Sequence, residues 1–145
     1  MCRFSMANEW VCMTNPRRFK SITVADANAL VKGTLMMLSA DPNTAVAHAA
    51  GSWPIPVGVL MEDKVALDGK TRMSVALDGE WEVTVDAGAC TLGYPIMAST
   101  LTANDVAMVG DTAVSFQYLR SILGRCDETA SASETGVRIS LNLPG

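Results

Sequence analysis

Residues 71–87, TRMSVALDGEWEVTVDA, keep one alternation from end to end. Met73, Val75, Leu77, Trp81, Val83 and Val85 occupy odd positions, while Arg72, Ser74, Asp78, Glu80, Glu82, Thr84 and Asp86 occupy even ones. A side-chain period of two is that of a strand with one dry face and one wet face. Asp78-Gly79 has the composition of a two-residue hairpin turn, but such a turn would set Leu77 against Glu80 and Val75 against Glu82. Parity survives if the chain runs straight through Gly79, or if a loop of odd length intervenes. The straight path, one long strand bent at Gly79, is the expected one, because a glycine inside a strand pattern marks a bend or bulge. A three-residue hairpin is the alternative.

A chain of 145 residues is long enough for one domain with its own core. Three Phe, two Tyr and three Trp leave that core to Val, Leu, Ile, Met and Ala. No apolar run reaches the length of a membrane span, and no basic segment followed by an apolar stretch marks a secretory leader. Cys2, Cys12, Cys90 and Cys126 form no CxxC pair, so free thiols in a reducing compartment are expected.

The net charge of −4 is unevenly spread. Residues 1–20 carry Arg3, Arg17, Arg18 and Lys20 against Glu9; the remainder carries seven bases against fourteen acids. A basic lead-in on an acidic body suits docking on a negative surface and does not suit a nucleic-acid-binding domain, whose body would be basic. Residues 1–20 lack periodicity, and Asn15-Pro16 breaks them. They read as an extended arm ahead of a β-barrel domain over residues 21–145. Phe4, Trp10 and Phe19 make that arm unusually aromatic for a segment without a partner.

The domain carries an internal similarity. Residues 25–39 match residues 85–99 at an offset of 60, through Asp26/Asp86, Ala27/Ala87, Ala29/Ala89, Gly33/Gly93, Met37/Met97 and Ser39/Ser99. Residues 58–79 match residues 124–145 at an offset of 66, including Gly58/Gly124, Glu62/Glu128, Arg72/Arg138, Ser74/Ser140 and Gly79/Gly145. Two duplicated halves, about residues 22–79 and 82–145, are expected. Each has strands at about 34–38, 57–62 and 71–77, or 94–98, 122–127 and 137–143, with a variable loop after the first. Gly33 and Gly93 would supply a positive φ or a tight start to a strand, and Gly58 and Gly124 a close backbone approach. Short strands punctuated by Gly, Pro and Asp indicate an all-β barrel or sandwich. Residues 63–67, 102–106 and 128–133 have room for a helical turn each.

Catalytic signals are sparse. His48 lies in an Ala-rich stretch with no partner nearby and reads as an ordinary loop histidine. Clustered zinc ligands and glycine-rich phosphate loops are missing. Glu62-Asp63, Asp127-Glu128 and Glu80/Glu82 are paired carboxylates, which in acidic loops are mostly solvated surface. Cys90 and Cys126 fall where small buried hydrophobes belong. No enzyme, catalytic residue, metal or cofactor is expected.

The span from Ile22 to Leu143 resembles a group of small phage-encoded capsid decoration, or cement, proteins. VDAGACTLGYPIM, VGVLMEDKVALDGKTRMSVALDGEWEV and the closing SILGRCDETASASETGVRISLN carry the resemblance. It implies a β-rich domain that binds the outer face of a capsid in the virion, assembled in the host cytoplasm, often as a trimer. The partner would be the major capsid protein, with no specific nucleic acid and no membrane. Residues 1–20 have no counterpart in the resemblance. On physical grounds Arg3, Arg17, Arg18 and Lys20 would meet capsid carboxylates, and Phe4, Trp10 and Phe19 would anchor in apolar grooves. The alternatives are another virion part such as a tail, spike or fibre-base module, or a carbohydrate-binding or hydrolytic module.

Overall fold

The computed structural model describes residues 9–40, 43–49, 55–100, 103–109 and 122–144. Eleven strands and no helix occur among them: β1 (Val11–Cys12), β2 (Phe19–Thr23), β3 (Leu35–Ala40), β4 (Thr44–Ala47), β5 (Pro56–Leu60), β6 (Arg72–Ala76), β7 (Asp78–Val83), β8 (Pro95–Ala98), β9 (Val106–Met108), β10 (Ile122–Cys126) and β11 (Val137–Asn142). The protein is all-β, as its alternation and turn residues require.

The long ribbon takes the straight path. β6 and β7 follow one another through Leu77 without pairing, because each belongs to a different sheet. β6 closes a five-stranded barrel of order β2-β4-β3-β5-β6, and β7 lies in a six-stranded sheet of order β1-β7-β11-β10-β8-β9. Gly79 sits at the crossing with φ +105°, a conformation L side chains rarely adopt. Met73, Val75, Leu77, Trp81, Val83 and Val85 are all buried. Asp86 breaks the expected alternation, for it is buried rather than wet. The ribbon has left its sheet there: the Asp86 amide donates to the Val106 carbonyl, and the carboxylate accepts from Ser99 Oγ at 2.6 Å and Gly88 N at 3.0 Å.

The two sheets repeat one strand order. In the barrel β2 lies between β6 and β4, and the β2–β4 pair is parallel. In the second sheet β7 pairs with β11, while the parallel bridge Val85–Val106 brings the end of β7 beside β9. Met36 opposite Gly58 has its counterpart in Ile96 opposite Gly124, at offsets of 60 and 66. The bridges Leu30–Lys64 and Cys90–Ala130 stand at the same offsets. Gly33 and Gly93 share a positive φ, 89° and 86°. A Cβ on Gly124 would lie 1.9 Å from the Ser140 carbonyl oxygen, and one on Gly58 2.6 Å from Val75 Cγ2, so both are places of close approach. The β5–β6 and β10–β11 registers differ by two residues between the halves.

Two cores result. Ile22, Val24, Met36, Leu60, Met73 and Val75 fill the barrel. Leu35, Val59 and Ala76 point the other way and join Trp10, Trp81, Val83, Leu123 and Ile139 in a larger core shared with the second sheet. β5 is therefore buried along its whole length, covered by the barrel interior on one side and the second sheet on the other. β4 and β9 occupy what the sequence reads as variable loop. They are three or four residues long, too short for any period to register. Residues 63–67 and 128–133 hold turns and bridges instead of a helical turn; in 102–106, residue 102 lies outside the described residues and residues 103–106 are non-helical.

Candidate partner-binding surface

The basic lead-in is largely sewn to the body from residue 9 onward. Residues 11–23 run antiparallel to the ribbon: Val11 faces Glu82, Cys12 faces Trp81, Phe19 faces Ala76, and Thr23 faces Arg72. Between the two ladders, Met13 N donates to the Glu80 carbonyl at 2.9 Å. Arg17 N and Arg18 N both donate to Asp78 Oδ1, at 2.8 and 3.1 Å. Pro16, which has no amide to donate, lies beside the Gly79 bend, 3.5 Å from the position a Cβ would take there. Of the extended arm expected over residues 1–20, residues 1–8 lie outside the described residues; within residues 9–20, β1 is an edge strand of one sheet, and β2 begins at Phe19 in the other.

Trp10, expected among the partner anchors, lies in the chain's own core. It is 3% exposed, its ring stacks edge-on to Trp81 with centroids 6.2 Å apart, and Nε1 donates to the Asn104 carbonyl at 2.9 Å. Its own core already provides the apolar site and hydrogen-bond acceptor that a buried tryptophan needs. Arg18 turns inward to Asn142 Oδ1 at 2.8 Å and Asp78 Oδ2 at 3.5 Å. Burial pushes the Asp78 carboxyl up, but the Arg18 and Arg17 amides and the Arg18 guanidinium outweigh it and leave its pKa below the usual value. Phe19 is 52% exposed, and Val11, Met13 and Arg17 are exposed in the same stretch of chain, with Lys20 half-buried in β2. Arg3 and Phe4 lie outside the described residues. An exposed set of apolar side chains with a basic group among them is a protein-docking composition.

The paired carboxylates do not converge. Glu62 Oε2 meets Lys70 Nζ at 2.8 Å, and Asp63 Oδ1 accepts from Lys32 N at 2.7 Å. On the other sheet Asp127 Oδ1 accepts from Arg125 Nε at 3.2 Å, and Glu128 Oε1 from Arg138 N at 3.1 Å. Glu80 Oε2 accepts from Thr14 Oγ1. Among the described residues no three His, Cys, Asp or Glu side chains are grouped so as to hold a metal ion. Cys12, Cys90 and Cys126 are free thiols. Burial first, then the neighbouring Cys126, pushes the Cys90 thiol up to about 12, leaving it protonated. A pocket of about 270 Å³ at the barrel is lined by Val24, Leu30, Met36, Val46, small alanines and Asn28, and offers no acid or base.

Sequence reasoning missed a buried polar junction between the two sheets. His48, far from an ordinary loop histidine, is buried with both ring nitrogens engaged: Nδ1 accepts from Asn104 N at 2.9 Å, and Nε2 donates to the Ser99 carbonyl at 2.8 Å. Asn104 Oδ1 accepts from Leu35 N at 2.6 Å, and its Nδ2 donates to the Gly33 carbonyl at 3.3 Å. These contacts join residues 51 to 71 positions apart, so no local pattern announces them.

The fold is similar to that of the N base of head fiber gp8.5 in bacteriophage phi29, known as a crystal structure. The TM-score is 0.50 and the identity 15%, with 86% of this chain and 94% of that chain covered. At that identity the likeness speaks for the fold. No protein-family model matches the chain, and no curated protein matches it.

Proposed function

We propose that this chain is a structural component of a phage virion that binds the outside of the capsid and stabilises the assembled shell, as a decoration protein does. The observation that carries the reading is the shared fold with a head fiber base over most of both chains, joined to the sequence resemblance to decoration proteins. The exposed stretch with Val11, Met13, Arg17 and Phe19 fits it, since a basic and apolar segment on an otherwise acidic body suits carboxylates and grooves of a shell protein. The partner in this reading is the major capsid protein, with copies of the chain grouped as a trimer on the shell. Binding is the whole function, and no reaction is assigned. Duplication of one five-stranded unit accounts for the repeated strand order. A fibre-base module fixed to the head is the second reading, favoured by the description of the phi29 protein.

The test uses phage heads stripped of this protein. Adding it back is expected to restore saturable binding and to raise the temperature at which the shells break. Binding at a few sites with the breaking temperature unchanged would select the fibre base; absence of binding would reject both. Arg17→Glu combined with Phe19→Ser leaves the Arg17 amide bond to Asp78 available. It is expected to weaken head binding by about tenfold, as removal of one charged and one apolar contact does.

A further inference from the structure

Two loops hold matching places in the two sheets, residues 61–71 between β5 and β6 and residues 127–136 between β10 and β11. Their backbones agree at an unusual point: Leu67 and Ser133, 66 residues apart, both have φ of 60°. Their side chains do not agree. The first loop carries Lys64, Val65 and Leu67 where the second carries Ala130, Ser131 and Ser133.

Lys64 has a fully buried side chain. Its Nζ lies 2.6 Å from Asp68 Oδ1 and 3.1 Å from Asp26 Oδ1, and also donates to the carbonyls of Asp26 and Val65. Burial acts to lower its pKa, but the hydrogen bonds it donates to Asp68 and Asp26 outweigh that and raise it, so the ammonium is kept. Asp26 Oδ1 also accepts from Gly69 N, Asp68 accepts from the amides of Val65 and Lys70, and Leu67 N donates to the Asp26 carbonyl at 2.8 Å. The loop is thereby pinned on both sides of its tip. What it presents is Val65, 69% exposed, and Leu67, 76% exposed, in a backbone region that disfavours a leucine. The matching loop follows the same turn with two serines and no buried lysine. The backbone path therefore does not require the apolar pair, and strain kept at an exposed side chain points to use elsewhere.

We propose that the tip formed by Val65 and Leu67 is a docking anchor that enters an apolar socket with a basic rim on the shell protein. This rests on the reading given under Proposed function and names a second contact of that same attachment. The rim chemistry follows from charge. Asp26 and Asp68 hold the buried Lys64 beneath the tip, Glu62 and Asp63 begin the same loop, and Lys70 is bound to Glu62. A net acidic collar disfavours nucleic acid and anionic lipid and favours a basic protein surface. A tip already held rigid loses little freedom on docking, which is where an interface concentrates its affinity.

The experiment measures binding to heads stripped of this protein, beside thermal melting and sedimentation of the free chain. Val65→Ser with Leu67→Ser is expected to bind about tenfold or more weakly, with melting not lowered. Leu67→Asn, which tolerates the backbone conformation, is expected to melt no lower than the parent while also binding more weakly. Ser131→Ala in the matching loop is expected to bind as the parent does. Head binding by the double variant within about twofold of the parent overturns the proposal while leaving the proposed function standing. Loss, in the double variant, of a self-association that the parent shows places the socket on a second copy and overturns the assignment to the shell. If the parent itself does not bind heads, the proposed function fails, and the anchor falls with it.

Discussion

Asn104 takes φ of 66° and hydrogen-bonds four residues in three stretches of chain: Trp10, Gly33 with Leu35, and His48. Asn104→Ala removes the side-chain partners of Leu35 N and the Gly33 carbonyl and replaces a residue type that tolerates positive φ by one that does not. It is expected to cost about 2–4 kcal/mol, measured by denaturant unfolding. Beside it, Asp105 is 4% exposed, and its Oδ1 has no hydrogen-bond partner among the described residues. Burial first, and then the Asp86 carboxylate, push its pKa up to about 6 from 3.8. Because the folded value is the higher one, the folded state binds the proton more tightly. This group's contribution to stability therefore grows as pH falls from about 6 towards 3.8, and is least above 6. Asp105→Asn is expected to raise stability at pH 8 by about 1–2 kcal/mol, the full linkage value being reduced by screening. It should bring little gain at pH 4, so melting curves at the two pH values check it. His48 acts in the opposite sense: burial lowers its pKa against the raising effect of the Ser99 carbonyl. Its contribution is present above pH 6.5 and is lost as pH falls towards the depressed value. Asp68, held down to about 2 chiefly by the Lys64 hydrogen bond, loses its contribution only as pH falls from about 4 towards 2.

At the scale of elements, the ribbon through Leu77 decides how the sheets are joined. Leu77 N donates to the Arg18 carbonyl, and Leu143 N donates to the Leu77 carbonyl, so the crossing residue is hydrogen-bonded to both sides. A two-residue hairpin at Asp78-Gly79 would have put charged side chains in the core, and the buried odd positions record that choice. Glycine at 124 has a separate cause, contact with the neighbouring strand. Gly124→Ala drives a Cβ against the Ser140 backbone, which cannot retreat as a flexible side chain would. It is expected to cost at least about 3 kcal/mol, the upper range of ordinary overpacking, and to open the β10–β11 pair. Loss of amide protection at Asp127, whose N donates to the Arg138 carbonyl, is the check by hydrogen exchange. β6, β7 and β11 were legible because they are five or six residues long and alternate. β4 and β9 were not, because a strand of three or four residues between turns leaves no period to count.

For the whole molecule, the core that holds Trp10 and Trp81 also holds Leu35, Val59 and Ala76 from the outer face of the barrel. The two halves are thus coupled through one apolar interior, and a single cooperative transition is expected. Trp10→Ala should cost about 3–5 kcal/mol and lower the stability of both halves together. Coincident loss of far-ultraviolet circular dichroism and of tryptophan fluorescence is the expected outcome; separate midpoints would show that the halves fold independently. The attachment proposed for the virion uses what this coupling leaves outside, namely the stretch from Val11 to Phe19 and the Val65–Leu67 tip.

The amino-acid sequence by itself determined the all-β class, the bend at Gly79 and the places where glycine is required, because each follows from neighbours in the chain and the period of a strand. The pairings Met36–Gly58 and Ile96–Gly124 stand at the sequence offsets of 60 and 66. Only the tertiary structure decided that Trp10 belongs to the chain's own core, that His48 and Asn104 tie the sheets together, and that Asp86 is dry. Those outcomes depend on contacts between residues far apart in sequence, whose energies come from shared burial and from polar groups that must find partners once water is gone.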